Sequence, residues 1–216
     1  MRLLFIFLFT FYNFYLFSQS MELKKEYKQT NKHFKEKNFN KAFLSNERAL
    51  ALSIKEFGLN HLTTATLLEN KGRLLLELKK YQQAEMQFRD VINIRNKLID
   101  VYHPDIAEPL NYLALSLRKQ NKLKEAIEEH NKVLNIMSNV IANNPGQISE
   151  LSRRSALYRA RAYHTKGRLL IEEGNYLEAE GNFKIAGKIF ERTLGKNKKE
   201  LEVLKLEIKE LKRKIN

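Results

Sequence analysis

The chain has 216 residues, a formal net charge of +14 at pH 7, 43% hydrophobic residues and no cysteine. The absence of cysteine excludes a disulfide framework, a thiolate metal site and lipoprotein acylation. The hydrophobic share is enough to bury a continuous core. An excess of Leu, Lys, Glu and Ala, with only three prolines, favours helices.

The first 20 residues are expected to be a signal peptide (1–20) that does not belong to the fold. Arg2 supplies a short positive region, residues 3–17 are apolar, and Ser18-Gln19-Ser20 is a small-x-small site. This layout is typical of a secretory signal, and the apolar run is short for a membrane span. We expect cleavage after Ser20, or else after Ser18, and a periplasmic or secreted protein. An uncleaved membrane anchor is the alternative, because lysines follow the run.

A repeat with a period of about 42 residues organises the rest of the chain. A small residue recurs in each copy, an alanine follows it twelve positions later, and a large apolar residue stands three before that alanine. The small residues are Thr30, Gly72, Ala114 and Gly167, the alanines are Ala42, Ala84, Ala126 and Ala179, and the apolar residues are Phe39, Tyr81, Leu123 and Tyr176. Such a period indicates stacked helical hairpins. We expect the small residue to let the second helix approach, with the alanine at the crossing.

Apolar periodicity predicts two helices in each of four repeats, at about 22–60, 61–102, 103–143 and 147–195. The predicted helices run at about 21–37, 39–57, 61–79, 81–101, 104–120, 123–142, 147–173 and 176–194. The strongest break is Asn143-Asn144-Pro145-Gly146. The eleven extra residues of the third interval follow this break and are expected to lengthen or kink the seventh helix.

The C-terminal segment 196–216 is expected to form a capping helix from about residue 198 to 215. Its apolar stripe is Leu201, Leu204, Ile208, Leu211 and Ile215. A terminal helix with one apolar face suits the end of a repeat array. Two heptads are too few to indicate a coiled coil. Homodimerisation through this helix is one alternative, and a disordered or membrane-surface tail is the other.

These anchors resemble the tetratricopeptide repeat, in which an alanine is followed four residues later by phenylalanine. Ala84/Phe88 and Ala179/Phe183 match this element, whereas Asn46 and His130 depart from it. The 42-residue period resembles the longer repeats of kinesin light chains. The resemblance implies an all-α, right-handed solenoid of about four antiparallel helix pairs, whose first helices line a concave groove. The implied groove residues are Asn31, Glu69, Arg73, Glu77, Glu108, Asn111, Arg118, Arg161, His164, Arg168 and Glu172.

No catalytic, cofactor or metal motif occurs in the sequence. There is no His-Glu-x-x-His pair, no Gly-x-Ser-x-Gly element, no phosphate-binding loop and no Gly-x-Gly-x-x-Gly fingerprint. His61 and His103 occupy equivalent repeat positions and are interpreted as helix-start residues. We therefore predict that the protein is not an enzyme and uses neither cofactor nor metal.

The remaining chemistry is surface recognition. The mixed charges of the implied groove favour a protein or peptide partner, and the lysines form no basic stripe of the kind nucleic-acid binding needs. The prediction is an exported, non-catalytic scaffold that binds a protein segment in the groove. The alternative is a stand-alone sensory or regulatory module, similar to the extracytoplasmic input region of bacterial signalling kinases.

Overall fold

The computed structural model describes residues 21–143, 150–194 and 199–215, and all the regular elements within these ranges are helical. The predicted all-α helical repeat class is confirmed. The signal peptide prediction and the predicted start of the seventh helix lie outside the described residues. The chain divides into two compact units, Met1–Leu98 and Ile99–Asn216.

The first unit contains α1 (21–35), α2 (Phe39–Phe57), α3 (Leu62–Glu77) and α4 (Tyr81–Leu98). Helix α2 packs against α3, and α3 packs against α4. Their apolar faces supply fully or almost fully buried side chains, namely Ala42, Ala49, Ala65, Leu67, Leu74, Phe88 and Val91. The predicted anchors Ala42 and Ala84 are therefore core residues of this unit.

The second unit opens with a short 3-10 helix (Pro104–Ile106) that leads into α5 (Ala107–Lys119). It continues with α6 (Leu123–Ala142), α7 (Glu150–Glu172), α8 (Tyr176–Leu194) and α9 (Lys199–Ile215). From α5 to α9, each helix packs against the one that follows it in the chain. Helix α9 joins the core through Leu201, Leu204 and Leu211, while Ile215 is 37% exposed.

Each turn between the two helices of a repeat contains one residue with a left-handed backbone, two positions before the second helix begins. The φ angle is 57° at Lys37, 60° at Lys79, 62° at Asn121 and 82° at Gly174. A left-handed residue ends a helix by turning the chain away from its axis. Because the position recurs in all four hairpins, the hairpins share one register.

The equivalent histidines begin the second and third repeats by capping a helix. The Nδ1 atom of His61 accepts the backbone N–H of Thr63 at 3.1 Å, and that of His103 accepts the N–H of Asp105 at 3.2 Å. Each ring satisfies one of the N–H groups that a helix start leaves without an intrahelical partner. The interpretation of His61 and His103 as helix-start residues is confirmed.

The fourth helix is three residues shorter than predicted, since it ends at Leu98 rather than at residue 101. The Oδ1 atom of Asp100 accepts the backbone N–H of Tyr102 at 2.7 Å, and the Asp100 carbonyl accepts the N–H of His103 at 2.8 Å. An aspartate that bonds to the backbone two residues ahead favours a turn over a helix. The apolar periodicity continues through Val101, so it predicted a longer helix and gave no sign of the turn at Asp100.

The small residue of the first helix lies beneath the phenylalanine of the second helix in two repeats. A Cβ atom built on Gly72 would lie 2.7 Å from Cε1 of Phe88, and one built on Gly167 would lie 2.5 Å from Cδ1 of Phe183. Both rings are fully buried. The close approach predicted from the spacing is therefore present, with the ring four residues after each alanine at the closest contact.

We predict that Gly167→Ala lowers the free energy of unfolding by about 1–3 kcal/mol, because the added methyl overlaps a ring that has no room to move. Gly181 provides the matched control, since it lies in α8 and a Cβ there would meet nothing within 4 Å. Gly181→Ala should instead stabilise the protein by about 0.5–1 kcal/mol. Urea unfolding followed by circular dichroism measures both changes. A Gly167→Ala protein as stable as Gly181→Ala would show that the helices do not meet closely at this position.

Candidate functional site

The first helices of the first unit present three of the implied groove residues. Asn31 and Glu77 are exposed, and their side chains make no hydrogen bond or ion pair to another described residue. The guanidinium carbon of Arg73 lies 5.4 Å from the ring centre of Phe34, so this cation on α3 contacts α1. The face therefore combines an amide, an acid and a base on neighbouring helices.

Glu69 does not belong to this exposed face, and the prediction that placed it there is wrong. Glu69 is 6% exposed, and its Oε2 lies 2.7 Å from Nη1 of Arg95 on α4. Glu69 on α3 thus contacts α4, the second helix of its own repeat, whereas Arg73, four residues later, contacts α1.

In the second unit, the implied groove residues of α5 and α7 contact each other. The Nε atom of Arg118 donates to Oε1 of Glu172 at 3.0 Å, and a second guanidinium nitrogen bonds to the same carboxylate. Glu172 is exposed, whereas Arg118 and its neighbours on α5, Glu108 and Asn111, are half-buried. The ion pair joins the first helices of two consecutive repeats.

The other three implied residues of α7 lie beside the C-terminal helix or in solvent. Nε2 of His164 bonds to Oε2 of Glu207 on α9, and Nε of Arg168 lies 3.6 Å from the other oxygen of this carboxylate. Arg161 is exposed and has no ion partner among the described residues. Helix α9 thus extends the face formed by α5 and α7.

Glu207 is a residue of this face that the sequence reasoning missed. A capping helix takes the place of the next first helix, so α9 can add side chains to the face as well as end the array. Leu204 packs against α8 beside Gly187. A Cβ atom built on Gly187 would lie 3.4 Å from Cδ2 of Leu204. Glu207 follows Leu204 by one helical turn, so the apolar stripe could have predicted the helix edge on which it lies.

Two repeats carry a polar side chain where Phe88 and Phe183 stand in the others. Asn46 is fully buried, and its Nδ2 donates to the Leu67 carbonyl at 3.0 Å. His130 is 3% exposed, and its Nδ1 has no hydrogen-bond partner among the described residues. Burial, together with the positive charge of Arg118, lowers the pKa of His130 to about 4.

The depressed pKa of His130 predicts a loss of stability in mild acid. The unfolded histidine takes up its proton at an ordinary pKa of 6.5 and the folded one only at about 4. The His130 contribution is therefore complete above pH 6.5 and is lost as the pH falls toward 4, by up to about 3 kcal/mol. His130→Asn introduces the side chain found at residue 46. It should reduce the change of the free energy of unfolding between pH 6.5 and pH 4, as measured by urea unfolding. If the free energy of unfolding depends on pH equally in the His130→Asn variant and in the parent, the assignment of this effect to His130 is contradicted.

No group of three or more His, Cys, Asp or Glu side chains that could hold a metal ion occurs within the described ranges. Among the helices that the structure describes, none is both long enough and apolar enough to cross a membrane.

Comparison with known proteins bears on the repeats directly. The tetratricopeptide repeat model matches residues 33–97, which run from the end of α1 to the last turn of α4. These residues form a tetratricopeptide repeat segment. No curated protein sequence matches the chain significantly.

Two solved structures resemble this chain in fold over most of its length. A Podosopora anserina protein described as a putative kinesin light chain with nearly identical repeats matches with a TM-score of 0.70 at 17% identity over 88% of this chain and 85% of that chain. BtubC from P. vanneervenii matches with a TM-score of 0.68 at 18% identity over 78% of this chain and 63% of that chain. At these identities the likeness concerns the fold. The predicted resemblance to kinesin-light-chain-type tetratricopeptide repeats is confirmed.

Proposed function

We propose that the protein is an exported, non-catalytic scaffold that binds a segment of another protein on the faces formed by its first helices. Tetratricopeptide and related repeat arrays generally present concave surfaces to protein partners. The observation that carries the proposal is the set of exposed side chains on these helices, Asn31, Glu77 and Arg161, which have no ion partner among the described residues.

The mixture of charges favours a protein segment as the partner. A uniformly basic face would attract any polyanion, whereas an acid, a base and an amide on one face favour a surface with the complementary pattern. The residues already joined in pairs, such as Arg118 and Glu172, hold consecutive first helices together and stiffen the face. A rigid face loses less entropy when a partner binds.

Export is part of the proposal and rests on residues 1–20. Their positive residue, apolar run and small-x-small site are those of a signal peptide. Mass spectrometry of the protein recovered from the envelope and from the medium of its source would test this step. A mature N-terminus at Met21 or Gln19 supports it, and a cytoplasmic chain that retains Met1 contradicts it.

The binding face can be tested with two matched triple variants. Asn31→Ala, Glu77→Lys and Arg161→Glu change the first helices, and Asn93→Ala, Asp90→Lys and Lys188→Glu make the same changes of charge at exposed positions of second helices. Affinity capture from an envelope fraction identifies partners, and titration of a purified partner gives its dissociation constant.

We expect the first-helix variant to weaken binding by about tenfold or more, which corresponds to about 1.4 kcal/mol, while the second-helix variant binds like the parent. Equal binding by both variants, or a loss confined to the second-helix variant, would contradict the proposal. Melting temperatures of the two variants should agree with that of the parent, because all six positions are exposed and away from the core.

A further inference from the structure

A mostly apolar pocket lies in the first unit, where the start of α1, the end of α2 and the start of α3 meet. Its volume is about 520 Å³, within the range of about 300–1,000 Å³ that proteins use for small ligands. The lining residues are Leu23, Lys24, Tyr27, Lys28, Phe57, Leu62, Thr63, Thr66 and Leu67. Neither the tetratricopeptide likeness nor the proposed partner face accounts for it.

The pocket has a buried apolar floor and partly exposed apolar walls. Leu23 and Leu67 are almost completely buried, whereas Phe57 is 39% and Leu62 is 45% exposed. Apolar surface left in contact with water at a concave site is stabilised when an apolar ligand covers it. The walls therefore favour a ligand with a hydrocarbon part.

Two cations stand at the rim without an acidic partner among the described residues. Lys24 and Lys28 are one helical turn apart on α1, both are exposed, and neither forms an ion pair with a described residue. Glu26 lies between them in sequence, but its Oε2 bonds to Nη2 of Arg48 on α2 at 2.9 Å. Both ammonium groups are thus available to a ligand anion.

We propose that this pocket binds a single-chain amphiphile with an anionic head, of the fatty carboxylate class. The hydrocarbon chain covers Phe57, Leu62 and the leucine floor, and the carboxylate accepts hydrogen bonds from Lys24 and Lys28. Lysine ammonium groups only donate, so the head group must supply acceptors. A monomeric ligand from solution is the source, because the site is a pocket of small-molecule size.

The hydrogen-bonding groups near the pocket favour this ligand over a peptide main chain. The hydroxyl of Thr66 already donates to the Leu62 carbonyl at 2.9 Å, and the N–H of Thr63 donates to His61. A peptide lying on the apolar lining would bury N–H and C=O groups that find few partners there, which costs free energy. A hydrocarbon chain carries no such groups.

The test is calorimetric titration of the chain, expressed from its full sequence, with dodecanoate below its micelle concentration. Dodecyltrimethylammonium, which has the same chain and the opposite charge, is the probe for simple apolar adsorption. Dodecanoate should bind about tenfold more tightly or better, and decanoate, two methylenes shorter, should bind roughly tenfold more weakly than dodecanoate. No binding of dodecanoate, or equal binding of the two dodecyl ions, would overturn the proposal.

Matched charge reversals on α1 locate the head group. Lys24→Glu with Lys28→Glu should weaken dodecanoate binding by about tenfold or more. Lys25→Glu with Lys32→Glu makes the same charge change at exposed positions of α1 that do not line the pocket, and should leave binding unchanged. Equal losses in both pairs would show a general effect of net charge and overturn the assignment.

Two further measurements separate this ligand from other occupants. Binding to phosphatidylglycerol vesicles that depends on Lys24 and Lys28, in the absence of dodecanoate binding, would identify a membrane-facing surface instead. Loss of a captured protein partner in the Lys24/Lys28 pair, again without dodecanoate binding, would make the pocket part of the partner site. Either result would overturn the amphiphile proposal and leave the proposed scaffold function standing.

Discussion

Phe183→Ala is expected to lower the free energy of unfolding by about 3–5 kcal/mol, the cost of removing a large aromatic side chain from a packed core. The Phe183 ring is fully buried between α7 and α8, against the backbone of Gly167. It belongs to the same cluster as Ala160, Leu170 and Phe190. A packed core relaxes only partly around a truncated side chain, so the free energy of the cavity adds to the lost transfer energy.

Urea unfolding measures this change, and Leu177→Ala is its control. Leu177 lies on the same helix, one residue into α8, and is 76% exposed, so its truncation should change stability by less than about 0.5 kcal/mol. Phe88→Ala should have an effect similar to that of Phe183→Ala, because Phe88 occupies the equivalent position over Gly72. A loss below about 1 kcal/mol for both phenylalanines would contradict the packing described here.

Glu69→Ala is expected to cost about 3–5 kcal/mol, because it leaves the Arg95 charge buried without the carboxylate that faces it. Glu69 is 6% and Arg95 is 9% exposed, and their charged atoms are 2.7 Å apart. An ammonium or guanidinium group in so little water is costly unless an anion lies beside it. Glu69 is therefore expected to stabilise the fold, whereas the sequence resemblance implied that it binds a partner in the groove.

Two companion variants make the Glu69 prediction specific. Glu77→Ala, on the exposed face of the same helix, should change stability by less than about 0.5 kcal/mol. Replacing both members of the pair, as Glu69→Met with Arg95→Met, should recover most of the loss, since no charge is then left buried. A single Glu69→Ala variant that unfolds at the urea concentration of the parent would show that the pair does not stabilise the fold.

The coincidence of glycine with phenylalanine follows from packing and could have been predicted. Where the first helix has Gly72 or Gly167, the second helix has a phenylalanine four residues after the alanine. Where the first helix has Thr30 or Ala114, the residue at that position is Asn46 or His130. Since a Cβ on either glycine would lie 2.7 Å or less from the ring, a side chain on the first helix requires a smaller group on the second.

Spacing predicted the helices and their pairing well, because each hairpin repeats the same contacts with the same residue types. It predicted the exposed residues less well. Whether Glu69 faces solvent or α4 depends on how α3 is rotated about its own axis, and a rotation of about 100°, one residue, would change the answer. A repeat pattern does not fix this rotation so closely. Ion pairs such as Arg118–Glu172 join residues 54 positions apart, and they depend on how consecutive hairpins pack.

The sequence patterns also did not predict the backbone conformation of the turns. Glycine at Gly174 indicates a left-handed residue, but Lys37 and Lys79 adopt the same conformation without that signal. A left-handed lysine costs roughly 1–2 kcal/mol, which the packing of the flanking helices offsets. The tertiary contacts of the hairpin, rather than local preference, set this conformation.

The central claim, that a protein partner binds the first helices, is tested most directly by hydrogen exchange of the chain with and without a captured partner. We predict slower exchange of backbone amides in α1, α3, α5 and α7 on binding, with α2, α4, α6 and α8 unchanged. Protection confined to the second helices, or no change in any helix at saturating partner, would contradict it.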